Sequence, residues 1–275
     1  MSNIFLRTLG KDFSNNSAII CDHNNNYVIT FSYKIVVFSS NGEFIQSFGS
    51  KGVNPGEFCF ISSITCDHDG NYVVCDSGNH RIQIFSTKGE FIRSFGSLGS
   101  KEGQFVLPYE VRCDNLGNYV IIDTFNCKIN IFSKEGKFLY RFDAKGVSGI
   151  TCDELGNFYI SDNYNHKIDV LTSKGVFMYS FGNMGLNKIF CPTGITIDHN
   201  GDCVVCDTGS HKVKIFSPDG KFIRSFDAKN VTRICCDNDG NYVIDDMENK
   251  TFKVFKGPSE VPSLLSLCWK KINNY

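Results

Sequence analysis

Apolar and polar residues alternate along most of the chain in short runs of four to six, the two-residue period of β-strands. The second unit shows the order. Ser63-Ile64-Thr65-Cys66 reads as one strand, and Asp67-His68-Asp69-Gly70-Asn71 as its turn. Tyr72-Val73-Val74-Cys75 is a second strand, Asp76 to His80 a loop, and Arg81-Ile82-Gln83-Ile84-Phe85 a third strand. A Gly-containing turn over residues 87–90 leads to an outer strand from Phe91 to Phe95. Such turns need positive φ, which Gly supplies without strain and Asn or Asp tolerates.

This unit recurs six times. Cys21-Asp22, Cys66-Asp67, Cys113-Asp114, Cys152-Asp153, Ile197-Asp198 and Cys236-Asp237 each open a turn into Asn-Tyr-Val or a close variant. The intervals between successive aspartates are 45, 47, 39, 45 and 39 residues. A period of ~40–50 residues with several short strands per unit marks a β-propeller, whose blades cannot bury their faces alone. The third strand ends in Phe38, Phe85, Phe132, Leu171, Phe216 or Phe255, a residue expected to pack between neighbouring blades. The sixth unit stops after Phe252-Lys253-Val254-Phe255, whereas Ile4 to Gly10 has the outer-strand pattern. The expected fold is therefore all-β: a six-bladed propeller over residues 1–257, closed by the N-terminal strand, which removes a sheet edge. Residues 258–275 form a tail with a short amphipathic α-helix.

Composition narrows the chemistry. A hydrophobic fraction of 41% supports a substantial core, and a net charge of −1 does not single out a polyanionic partner. No apolar run reaches the ~18 residues of a membrane span, and Met1-Ser2-Asn3-Ile4 lacks a leader pattern. Membrane association is not expected, and a cytoplasmic location is. Thirteen cysteines fit small buried apolar residues in a reducing compartment. Cys203 and Cys206 sit three apart on a strand and so face opposite ways, which argues against a metal or redox pair.

Finer motifs point to a family. Residues 48–58 and 95–108, the Asp-x-x-Gly-Asn turns, and the loops from Asp76 to Arg81 and Asp207 to Lys212 together resemble the NHL repeat, over residues 4–255. The resemblance implies a six-bladed propeller. NHL domains occur in tripartite-motif ubiquitin ligases, in RNA-binding translational repressors and in bacterial receptor kinases, with a peptidyl amidating lyase as a relative. Phe31-Ser32-Tyr33-Lys34 is a shortened loop, and Phe125-Asn126-Cys127 stands where Gly-Asn-His is usual.

The resulting expectation is a non-enzymatic binding scaffold that holds a protein partner on the rim carrying the second-to-third-strand loops and the connectors, here the top. Phe58, Arg81, Tyr109, Phe125, Tyr164 and Phe190 are its candidate anchors. RNA binding is the alternative, weakened because twelve cations along these loops meet twelve acids. A metal-dependent, lyase-like enzyme comes next. Its only candidate ligands, His80, His166 and His211, repeat at one position and read as structural, so no catalytic residue, metal or cofactor is assigned. The tail segment from Ser263 to Ile272 resembles an elongin-C-binding box of the kind that opens a SOCS box. Leu264, Cys268 and Ile272 would then meet elongin C as a helix in a groove, making the protein a ubiquitin-ligase substrate adaptor; the alternative is a helix folded back over the side of the propeller.

Overall fold

The computed structural model describes residues 5–9 and 18–257. Six four-stranded antiparallel sheets succeed one another along the chain as blades. Blade 1 comprises Ile19–Cys21, Tyr27–Phe31, Lys34–Phe38 and Phe44–Phe48. Blade 2 comprises Ile61–Cys66, Tyr72–Asp76, Arg81–Phe85 and Phe91–Phe95, and blade 3 Glu110–Cys113, Tyr119–Asp123, Lys128–Phe132 and Phe138–Asp143. Blade 4 runs over Val147–Cys152, Phe158–Asp162, Lys167–Leu171 and Phe177–Phe181. Blade 5 runs over Pro192–Ile197, Cys203–Asp207, Lys212–Phe216 and Phe222–Asp227. Blade 6 holds Ile234–Cys236, Tyr242–Asp246 and Thr251–Phe255, and Phe5–Leu9 pairs antiparallel with its third strand. The first strand of each blade lines a central axis.

Each blade is apolar on both faces because a neighbour covers each. Tyr72, Val73, Val74 and Cys75 are all buried, and Tyr119 to Ile122 repeat the pattern. The third-strand aromatic meets the end of the preceding blade's outer strand: Phe48–Phe85, Phe95–Phe132, Phe181–Phe216 and Phe226–Phe255 have ring centroids 4.9–5.3 Å apart. These tilted contacts add to the area each ring buries.

Polar ties at the bottom rim run in the same direction. Tyr72 donates its hydroxyl to Asp22 (3.0 Å), Tyr119 to Asp67 (3.2 Å), Tyr242 to Asp198 (2.7 Å) and Tyr27 to Asp237 (3.1 Å), each aspartate lying in the preceding blade. The last of these joins blade 1 to blade 6. Each aspartate also caps its own turn, as Asp67 does for the amides of Asp69 and Asn71. Phe158 and Cys203 occupy the tyrosine position in blades 4 and 5 and have no hydroxyl to give.

The connectors explain one departure from expectation. Gly49 has φ +91°, and a Cβ there would lie 2.6 Å from the Phe58 ring. Phe58 fills the slot that this glycine leaves, 5.5 Å from Phe85, and is 0% exposed. It cannot anchor a ligand at the rim.

Candidate functional site

Where the first strands of the blades converge, the axis carries a charged cluster. Glu110 and Arg112 are two apart on the first strand of blade 3, so both project to the same side. The Glu110 carboxylate is buried and accepts from Arg112 Nη2 at 2.7 Å, while Arg112 Nε donates to the Ile150 carbonyl of blade 4 at 3.3 Å. From blade 6, Arg233 reaches across to the Ser62 carbonyl of blade 2, at 3.5 Å, and its guanidinium lies 5.4 Å from the Tyr109 ring.

Second contacts hold these groups. Asp245 accepts from the Thr232 and Arg233 amides at 2.7 and 2.9 Å, fixing the turn that presents Arg233, and burial holds its carboxyl above the usual range. Gly194 lets blade 5 approach: a Cβ there would lie 2.7 Å from the Thr232 carbonyl. Ser63, Glu110, Arg112 and Arg233 line a small axial cavity with Ala18, Ile19, Gly194 and Ile234. It leaves about 10 Å³ for the centre of a water-sized sphere, room for about one water among a carboxylate, a hydroxyl and two guanidiniums.

Several charges elsewhere on the rim are matched. Arg81 bonds Asp76 at 2.8 Å and the carbonyls of Asn54 and Glu57, so this candidate anchor braces a connector. Lys128–Asp143, Lys212–Asp227, Lys214–Asp207 and Lys229–Glu248 are ion pairs. Among the described residues Arg233 has no carboxylate within ion-pair reach, and it lines the axial cavity. Of the other anchors, Phe125 and Tyr164 are 68% and 79% exposed, Tyr109 is 36% exposed beside Arg233, and Phe190 is 39% exposed beneath Lys188, whose ammonium lies 4.7 Å from its ring. The structure thus puts Tyr109 at the site and spreads the rest around the rim. Leu264, Cys268, Ile272 and the tail helix lie outside the described residues.

The histidines are structural. His80, His166 and His211 adopt the left-handed conformation, with φ of 55–56°. Their Nδ1 atoms accept from the backbone amides of Leu107, Cys191 and Asn230 at 3.0, 3.1 and 3.4 Å. Among the described residues no three His, Cys, Asp or Glu side chains converge to hold a metal ion. The donor set therefore does not fit the metal that the resemblance to an amidating lyase implies. Cys203 and Cys206 are buried and their thiols are pushed well up by desolvation, which removes them as nucleophiles. Arg112 escaped notice in the sequence because its repeat position carries Thr65, Thr151 and Thr196 in other units and so shows no repeated charge. Glu110 and Arg233 were visible there only as two among two dozen rim charges. The available signal was the placement of Glu110 and Arg233 four residues before the turn aspartate, where the other units carry Ala18, Ser63, Gly149 and Gly194.

Comparison with known proteins adds fold and context. Residues 58–85, the end of a connector and the first three strands of blade 2, match the NHL repeat family. No curated protein matches the chain in sequence. Among solved structures, a streptogramin B lyase superposes with TM-score 0.67 and 16% identity, covering 94% of this chain and 89% of its own. A gluconolactonase from Xanthomonas campestris gives 0.71 and 13%, covering 90% and 88%. A virginiamycin B lyase from Staphylococcus aureus gives 0.66 and 14%, covering 94% and 90%. These neighbours are enzymes, and they overturn the expectation of a non-enzymatic scaffold and adaptor: the propellers this chain resembles over nine-tenths of its length house catalysis. At such identities the likeness is one of fold. In the described residues no helix is long and apolar enough to cross a membrane. The chain is a six-bladed all-β propeller carrying an NHL repeat.

Proposed function

We propose that the protein is an enzyme that opens cyclic esters by hydrolysis at the axial mouth, with Glu110 as general base and Arg233 as the oxyanion-stabilising cation. The observation that carries this reading is the juxtaposition of a buried carboxylate, a guanidinium without a carboxylate partner and a cavity sized for one water. A gluconolactonase among the structural neighbours supports the substrate class, since gluconolactone is a cyclic ester. Arg112 acts as a positioning residue that holds the Glu110 carboxylate.

In the first step Glu110 takes a proton from water as the water oxygen bonds to the ester carbonyl carbon. The carbonyl electron pair moves onto its oxygen, and Arg233 stabilises the charge. Collapse then breaks the bond to the ring oxygen, which leaves with the proton from Glu110, giving an open hydroxy acid. General base catalysis contributes ~10²–10⁴-fold, and one oxyanion donor ~10²–10³-fold. Initial rates on γ-butyrolactone, γ-octalactone and δ-gluconolactone in a pH-stat test the reading. Wild type should exceed background, and Glu110→Gln and Arg233→Met should each lose at least ~100-fold. A wild type indistinguishable from buffer on every lactone would end it.

The site needs a closed ring, because residues of blades 1 and 6 line it together with those of blades 2, 3 and 5. Phe5–Leu9 supplies the fourth strand of blade 6, and deleting residues 1–10 should lower the melting temperature and solubility together. An unchanged melting curve would show that the ring holds without this strand.

A further inference from the structure

From the charges around the axial cavity we infer that it binds one small monovalent anion, the size of chloride. Its ligands are the guanidiniums of Arg233 and Arg112 and the hydroxyl of Ser63, which line the cavity together. Glu110 is the one acid among the lining residues, against two arginines, so the walls carry a net positive charge. The Glu110 carboxylate is 2% exposed and is taken by Arg112 at 2.7 Å. That pair neutralises itself and leaves over the charge of Arg233.

Arg233 has partners that orient it without neutralising it. The Ser62 carbonyl at 3.5 Å and the Tyr109 ring 5.4 Å away offer a dipole and a quadrupole, not a counter-charge. The Asp245 carboxylate is occupied by the Thr232 and Arg233 amides and the Thr232 hydroxyl. Three other cations of the ring are treated differently. Arg81, Lys214 and Lys253 each meet the aspartate that ends a second strand, at 2.8, 2.7 and 2.6 Å. A part-buried charge without such a partner attracts one from solution more strongly than the same charge in bulk water.

Size and donors select the ligand. The cavity leaves about 10 Å³ for the centre of a water-sized sphere. That accepts an ion a few tenths of an ångström wider than water and is too small to enclose an organic acid. Ser63 Oγ accepts the Val111 amide at 3.4 Å, which leaves its own proton to donate into the cavity. A cation is disfavoured there, because two guanidiniums outweigh one carboxylate. Glu110 weakens the site: it competes for Arg112 and repels the anion.

The test is the excess NMR line width that the protein gives to chloride, titrated at constant ionic strength against sodium methanesulfonate. Wild type should broaden the line saturably, bromide should remove the excess, and Arg233→Met should lose it. Lys229→Met, which removes an exposed cation paired with Glu248, should behave as wild type. Glu110→Gln should bind chloride at least ~10-fold tighter, the effect of removing one like charge at an effective dielectric of about 20. This variant decides the matter if Arg233→Met does not fold. No saturable excess, an excess that survives in Arg233→Met, or an unchanged affinity in Glu110→Gln overturns the inference. On the lactonase reading, chloride at Arg233 takes the place of the oxyanion and excludes the attacking water. It should then raise KM for γ-octalactone and leave kcat unchanged. A KM indifferent to saturating chloride overturns the placement at Arg233 and leaves the lactonase reading standing. If no lactone is turned over, that reading falls, and the line widths decide the anion site alone.

Discussion

Phe58 and Phe125 look alike in the sequence, two aromatics in loops of the same rim, and the structure separates them completely. Phe58 closes the slot over Gly49 and packs on Phe85, whereas Phe125 stands in solvent. Phe58→Ala should therefore destabilise by ~3–5 kcal/mol, the range for a truncated core phenylalanine. Phe125→Ala should stay within about 0.5 kcal/mol. Urea denaturation midpoints of the two variants measure the difference, and equal midpoints would refute the packing account. The distinction was partly legible. The Phe-Gly pair that ends an outer strand, followed nine residues after its glycine by Phe58 or Phe105, announces a buried partner once the glycine's positive φ is considered. Arg81 was misread for a related reason: an exposed sequence context says nothing of a carboxylate five residues earlier that claims its guanidinium.

At the level of the element, strands were read almost residue by residue because alternation reports directly on burial, and the sheets confirm their order. The loops were not, since their contacts reach into the next blade. His80 illustrates this. From the sequence it is a repeated histidine with ligand-like spacing; in the structure it is a left-handed corner whose Nδ1 ties down the Leu107 amide 27 residues on. His80→Ala removes that acceptor and strains the backbone, and should cost ~1–3 kcal/mol. His80→Asn tolerates the left-handed conformation and should recover the strain part alone. Hydrogen exchange at Leu107 separates the two effects: the amide should exchange faster in both variants, and slow exchange in His80→Ala would show that the tie carries no protection. Cys127 and Lys250 hold the same conformation without the imidazole, so the repeat conserves the corner and not the tie.

Across the whole molecule the period of 39–47 residues made the fold legible, whereas the site arises from single departures from the repeat. Glu110, Arg112 and Arg233 come together only because the ring closes, a relation that no local pattern encodes. The belt of tyrosine–aspartate ties is equally non-local, with Tyr27 and Asp237 separated by 210 residues. That belt makes stability depend on pH. Burial raises the Tyr27 phenol from 10.0 to about 12, and Tyr72, Tyr119 and Tyr242 move upward for the same first cause, with the paired carboxylates adding to it. The thiols of Cys21, Cys113 and Cys152 rise from 9.0 to about 12, again chiefly through burial. A raised value means that the folded state keeps its proton where the unfolded chain releases it, so stability falls as pH rises. The loss should begin near pH 9 with the thiols, steepen above 10 with the phenols and continue to about 12. Melting temperature followed from pH 8 to 11 should be level at first and then drop. A Cys21→Ala, Cys113→Ala, Cys152→Ala variant should shrink the drop that begins near pH 9 without abolishing it, because the thiols of Cys66, Cys75, Cys203, Cys206, Cys235 and Cys236 are also raised by burial. A curve that stays level to pH 11 would mean that the hydroxyls and thiols titrate alike folded and unfolded, and that the belt is solvated and does not bind blade to blade.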